Sequence, residues 1–121
     1  RHPLALLRRR LDELGWLPLG ELASTADAAE VRSGGLVITR QRPGSAAGVT
    51  FVTLEDESGQ VNLIVWRQLA ERQRRVLLGA RLLGFHGRLQ RQGQVLHVIA
   101  SRLEDRSPWL GTLATASRDF R

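Results

Sequence analysis

The sequence predicts a mainly β domain: five strands closing a small barrel, one helix between the third and fourth strands, and a further helix in front. Three observations carry this. Two β-branched, apolar runs, 49–54 and 61–66, flank the polar turn Glu55-Asp56-Glu57-Ser58-Gly59, in which Gly59 is free to take a positive φ. A second pair of runs, 82–89 and 95–99, flanks Gln90-Arg91-Gln92-Gly93-Gln94 and reads as a second hairpin. Between the hairpins, residues 67–78 place Leu69, Val76 and Leu77 on one face and Arg67, Glu71, Arg74 and Arg75 on the other, which is helical spacing closed by Gly79.

The remaining elements follow in chain order. Residues 2–14 read as a helix, with Pro3 in the first turn and Leu4, Leu7, Leu11 and Leu14 on one stripe. Arg8, Arg9 and Arg10 lie opposite that stripe, as a solvated face. Gly15 stops the helix, and residues 16–30 form a connector with one helical turn around 21–29. The first strand begins at Val31 and is firm at Leu36-Val37-Ile38-Thr39, where Gly34 and Gly35 permit a bulge or bend. A basic loop, 41–48, leads into the first hairpin. Three strands, a helix and two strands in this order are the order of a five-stranded Greek-key OB-fold barrel. The expected organisation is an N-terminal helix and connector over 1–30, the OB-fold domain over 31–104, and a loosely packed tail over 105–121.

Composition bounds the function. A chain of 121 residues with 42% hydrophobic content supports one core. Without cysteine there is neither a disulfide framework nor a thiolate metal site, and three scattered histidines do not make a zinc site. No run is long enough for a membrane helix and no secretory signal is visible, so a cytoplasmic protein is expected. The chain starts at Arg1 and lacks methionine throughout, and so reads as a fragment or processed product. All 18 basic residues are arginine, and the net charge of +6 favours a polyanionic partner.

Alternation along the strands separates Val52, Leu54, Val61, Leu63 and Val65 from Phe51, Asn62, Ile64 and Trp66. The first set is the more consistently aliphatic and fills the barrel, which sends Phe51, Asn62 and Ile64 to the strand-two and strand-three face where OB-folds take oligonucleotides. Phe51 is then a stacking platform for an unpaired base, with Arg40, Arg42, Arg88 and Arg91 at the two adjoining loops to meet phosphate. Glu55, Asp56 and Glu57 do not make a metal or acid–base site, because neighbouring turn positions point apart; Asp56 instead fixes the turn through local bonds to the backbone. His86 and His97 are structural, and no catalytic grouping, cofactor fingerprint or small-molecule site is present.

Several words of the chain extend this reading: His2-Pro3-Leu4 with its leucine-rich helix, Gly35-Leu36-Val37 leading into Arg40-Gln41-Arg42-Pro43-Gly44, Phe51-Val52-Thr53-Leu54-Glu55-Asp56-Glu57, Gly59-Gln60-Val61-Asn62, and the ending Ser117-Arg118-Asp119-Phe120. In these the chain resembles the C-terminal region of the error-prone (ImuC-type) bacterial C-family DNA polymerases. The resemblance implies a DNA-directed DNA polymerase as parent, induced by DNA damage and used in translesion synthesis, with its polymerase and phosphoesterase-like modules upstream. It implies an OB domain that follows a helix-hairpin-helix region, and a parent that works with an inactive Y-family polymerase homologue, a RecA-like accessory protein and the sliding clamp. Two roles are expected: binding of template single-stranded DNA, or docking of the accessory proteins through the Arg8–Arg10 helix, Trp109, Arg118 or Phe120.

Overall fold

The structure, a computed structural model, describes residues 2–43 and 48–112. Five strands, β1 (Glu30–Gln41), β2 (Thr50–Glu55), β3 (Gln60–Val65), β4 (Leu82–Gln92) and β5 (Val95–Asp105), close into a barrel of order β1-β2-β3-β5-β4. Every pairing is antiparallel except β3 with β5, the parallel contact that the returning chain makes. The expected architecture is therefore present, with β4 and β5 running beyond the lengths that periodicity gave them.

The interior is the aliphatic set. Val52, Leu54, Val61, Leu63 and Val65 are buried with Phe85, Leu89, Val98 and Leu103, and burial alternates strictly along β2. β1 serves two neighbours, its first half pairing β4 and its second half β2, and its ladder slips between Val37 and Thr39. That bulge reverses the alternation beyond it, turning Thr39 outward beside Thr53 and Arg40 inward beside Val52.

The helix expected over 67–78 is two short ones, α2 (Arg67–Arg72) and α3 (Arg74–Gly79), broken at Gln73 with φ −116° and ψ 38°. The cause lies outside the segment. The Gln73 amide donates to the Leu103 carbonyl and accepts from the Leu103 N–H, both at 2.8 Å, so one side chain pairs with β5 as a strand would.

A second cluster, Leu4, Leu7, Leu11, Trp16 and Leu82, lies beneath the barrel. The N-terminal stripe is buried as expected, although its first turn, Pro3–Leu7, is a 3-10 helix and only α1 (Arg8–Glu13) is α-helical. Trp16, assigned to a featureless connector by its local sequence, is 1% exposed. Its ring rests on Gly34 and Gly84, which are register partners in β1 and β4; a Cβ on either would come within 2.5 Å or 2.3 Å of the indole. Residues 108–112 are helical, and Trp109 and Leu110 pack against this cluster, so the start of the expected loose tail is ordered on the barrel.

The β2–β3 turn is built on Asp56 rather than on Gly59, which does not adopt a positive φ. Oδ1 of the buried Asp56 accepts from Ser58 N, Ser58 Oγ and Gly59 N at 2.7, 2.7 and 3.0 Å. Oδ2 accepts from Leu19 N at 2.8 Å and from Arg8 at 3.0 Å. Arg8 also grips Glu57 through Nε and Nη2 at 2.7 and 2.8 Å, so it is drawn off the solvated face assigned to it. Arg10 likewise stacks on Trp109, 4.0 Å from the ring centroid.

The Arg8 hydrogen bond holds the Glu57 carboxyl below its ordinary value of 4.5. A lowered folded-state pKa contributes stability that is complete above the unfolded value and lost as pH falls through the folded one. Glu57→Gln should therefore be slightly less stable than wild type at neutral pH, with the gap closing below pH of about 4.5. Urea midpoints measured from neutral pH downward check this, and a gap independent of pH would count against it.

Candidate nucleic-acid interface

The outward residues of four adjacent strands line up. Phe51 pairs with Ile64, Ile64 with Ile99, and Ile99 with Arg88, forming one row across β2, β3, β5 and β4. At about 4.8 Å per strand step the row is about 15 Å long. It is apolar over three positions and ends on a cation. A parallel row, Thr53, Asn62, His97 and Gln90, supplies hydrogen-bonding groups. Thr53 Oγ1 and Asn62 Oδ1 lie 3.2 Å apart, which leaves the Asn62 NH2 group directed elsewhere. Nδ1 of His97 is buried without a partner in this row.

Phe51 and Asn62, expected on this face, and Arg88, expected at an adjoining loop, are brought together by register. Arg88 is exposed, and neither it nor Arg42 forms an ion pair among the described residues. Two arginines expected at the loops beside Phe51 are engaged by backbone carbonyls. Arg40 lies on the inner side of β1, where Nε donates to the Leu77 carbonyl at 2.7 Å and Nη2 donates to the Ala80 carbonyl, closing the end of α3. Arg91 turns to the connector, where Nη2 donates to the Ala23 and Thr25 carbonyls at 3.0 and 2.9 Å. Neither guanidinium faces the Phe51 row. Trp109 is held between Arg10 and Arg106, while Arg118 and Phe120 lie outside the described residues.

Three further residues join the face: Trp66, which alternation had set outward without giving it a role, and His97 and Ile99, which sequence reasoning passed over. Trp66, directly after β3 and two positions beyond Ile64, is 53% exposed, and its alternation with Asn62 and Ile64 was the available signal. His97 and Ile99 join the face only through the parallel β3–β5 pairing, which no local pattern reveals.

Among the described residues no group of three or more His, Asp or Glu side chains is placed to hold a metal ion, and no helix is long and apolar enough to cross a membrane. Burial pushes the Glu104 carboxyl up, but Arg32, Trp16 and Arg106 more than offset this and leave it below its ordinary value, as a structural ion pair.

Residues 31–106 match the family model described as the OB-fold nucleic acid binding domain. The chain belongs to that family. Beyond the OB domain itself, the sequence is 62% identical over 120 residues to an error-prone DNA polymerase of Azoarcus sp. (strain BH72) and 60% identical to one of Alkalilimnicola ehrlichii. These alignments take in 99% of this chain but only 11% and 12% of the two polymerases, so the OB domain and its N-terminal helices fit a segment of such a polymerase. The fold is shared with asparaginyl-tRNA synthetase from Pyrococcus horikoshii in complex with asparaginyl-adenylate, at a TM-score of 0.61 and 20% identity over 75% of this chain and 22% of that one. It is shared too with the tetrameric p202 HIN2, at a TM-score of 0.58 and 12% identity over 74% of this chain and 48% of that one.

Proposed function

We propose that the OB domain binds single-stranded DNA, as the template-strand module of an error-prone DNA polymerase that copies damaged DNA. The observation that carries this reading is the outward row Phe51, Ile64, Ile99 and Arg88, since an unpaired base offers a π-face to an aromatic ring and its phosphate needs a cation nearby. In this reading Phe51 stacks a base, with Trp66 as a second platform, and Asn62 donates to a base edge. Arg42 and Arg88 meet phosphates at the two ends of the face. Arg40 and Arg91 support the loops on either side by tying them to α3 and to the connector. The chemistry of the polymerase belongs to its other modules.

Titration of the 121-residue chain with fluorescently labelled oligothymidylate at two salt concentrations tests the reading. Binding is expected at low salt, weakening with a log–log slope of about −0.7 per phosphate contacted. An absence of binding at low salt would rule the reading out.

A second reading, docking of the inactive Y-family polymerase homologue and the RecA-like accessory protein, draws on the exposed Leu6 and Leu78, 62% and 53% accessible. Capture of those proteins by the intact chain, and its reduction on truncation from Thr112 onward, is the outcome this reading requires if the Arg118–Phe120 segment takes part.

A further inference from the structure

A cleft of about 270 Å³ opens between the end of β1 and the α2–α3 pair, beside the face described above but outside it. Its barrel wall includes Arg40, Arg42 and Thr50, and its helical wall includes Arg67 and Arg74 over an apolar floor of Ala70 and Leu77. Four guanidinium groups thus meet one carboxylate, that of Glu71, which pairs with Arg67 at 3.0 Å. Arg40 binds neutral carbonyls, and Arg42 and Arg74 make no ion pair among the described residues. Four like charges gathered around one carboxylate repel one another, and an anion in the cleft relieves that repulsion. Guanidinium forks match the oxygens of phosphate, and four of them converging on one cleft can meet a single phosphate from several sides.

We infer that this cleft is a phosphate-binding subsite, with Arg42 and Arg74 as its principal ligands and Arg67 shared between the phosphate and Glu71. The inference deepens the single-strand reading and rests on it for the source of the phosphate. Gln41 lines the cleft and is the register partner of Phe51, and Thr50 lines it and precedes Phe51 in the chain. A phosphate adjoining a base stacked on Phe51 therefore falls here. Two sources carry the same chemistry: an internal phosphodiester of a strand running on past the cleft, or the 5′-phosphate of a strand that ends in it.

The test uses Arg74→Gln, a change at an exposed position with no ion pair among the described residues, and Arg9→Gln as a control of equal net charge on α1. Inorganic phosphate is titrated first, followed by amide resonances. Saturable shifts at Gly48, Ala70 and Leu77 in wild type and in Arg9→Gln, lost in Arg74→Gln, are expected; no saturable shift, or the same shift in Arg74→Gln, overturns the subsite. Oligothymidylates of about eight nucleotides, with and without a 5′-phosphate, then identify the source. A terminal phosphate gives tighter binding of the 5′-phosphorylated strand, with the advantage removed by Arg74→Gln. An internal phosphodiester gives equal binding of the two strands and a salt slope shallower by about 0.7 in Arg74→Gln. Strands that bind with affinity and slope untouched by Arg74→Gln overturn the subsite while leaving the single-strand reading in place. Phosphate binding without any oligonucleotide binding does the reverse.

Discussion

Asp56→Ala is expected to destabilise the domain by about 3–5 kcal/mol, the effect of removing one partner of a buried ion pair. The side chain of Asp56 is fully buried and accepts hydrogen bonds from Leu19 and Arg8 on the N-terminal side and from Ser58 and Gly59 within its own turn. Alanine leaves those backbone N–H groups without an acceptor and removes the one fully buried carboxylate that the Arg8 guanidinium meets, leaving it with Glu57, Asp12 and the Trp16 carbonyl. Arg8→Ala should cost less, since it strands no backbone donor. Urea unfolding at neutral pH measures both, and an Asp56→Ala loss below about 1 kcal/mol would show that water replaces these bonds at little cost. The same turn joins the strands that carry Phe51 and Asn62, the two residues proposed to meet a base.

Trp16→Ala carries the other large expected loss, about 3–5 kcal/mol for deleting a buried indole. The ring fills the space that Gly34 and Gly84 leave open, and its Nε1 donates to Glu104 at 3.3 Å. Gly84→Ala should therefore be destabilising in wild type, because the new methyl would lie 2.3 Å from the indole. In the Trp16→Ala background the same substitution should be less costly, its remaining close contact being with Glu104 Cγ at 2.6 Å, a side chain that the vacated indole space leaves room to shift. A double-mutant cycle by thermal or chemical denaturation reads this coupling directly, and additive effects would mean that Trp16 and Gly84 do not share the space described.

The barrel was legible because its local and global requirements agree. The strand alternation of Val52 and Leu54 with Phe51, the Asp56 turn, and the helical spacing of Leu69 and Leu77 each point to the same architecture. What was not legible depends on distant partners. The break at Gln73 is set by Leu103, thirty residues on, and nothing in the sequence 67–78 announces it. Arg40 reads as part of the loop beside the face until β1 is seen to run to Gln41 and to bulge after Val37, since a one-residue slip turns each later side chain to the other side. Trp16 reads as a connector residue because its two glycine partners lie in different strands. Within the candidate face, Phe51 and Asn62 follow from local alternation, whereas Ile99 and His97 enter through a parallel pairing that only the closed barrel creates.

The division of arginines has a functional corollary. Arg8, Arg40 and Arg91 hold the fold together through carboxylates or carbonyls, so the charge available to a polyanion is narrower than the net charge of the chain suggests. Arg42, Arg74 and Arg88 are among the arginines without carboxylate partners among the described residues; Arg88 ends the apolar row, and Arg42 and Arg74 line the cleft beside it.

The most direct measurement is a titration of labelled single-stranded DNA against wild type and Phe51→Ala side by side at low salt, with unfolding midpoints confirming that both are folded. Stacking of one base is worth about 1–3 kcal/mol, so Phe51→Ala should bind about tenfold or more weakly with its salt slope unchanged. Equal affinity of the two proteins would contradict the account, because the ring at the head of the outward row would then not be touching a base.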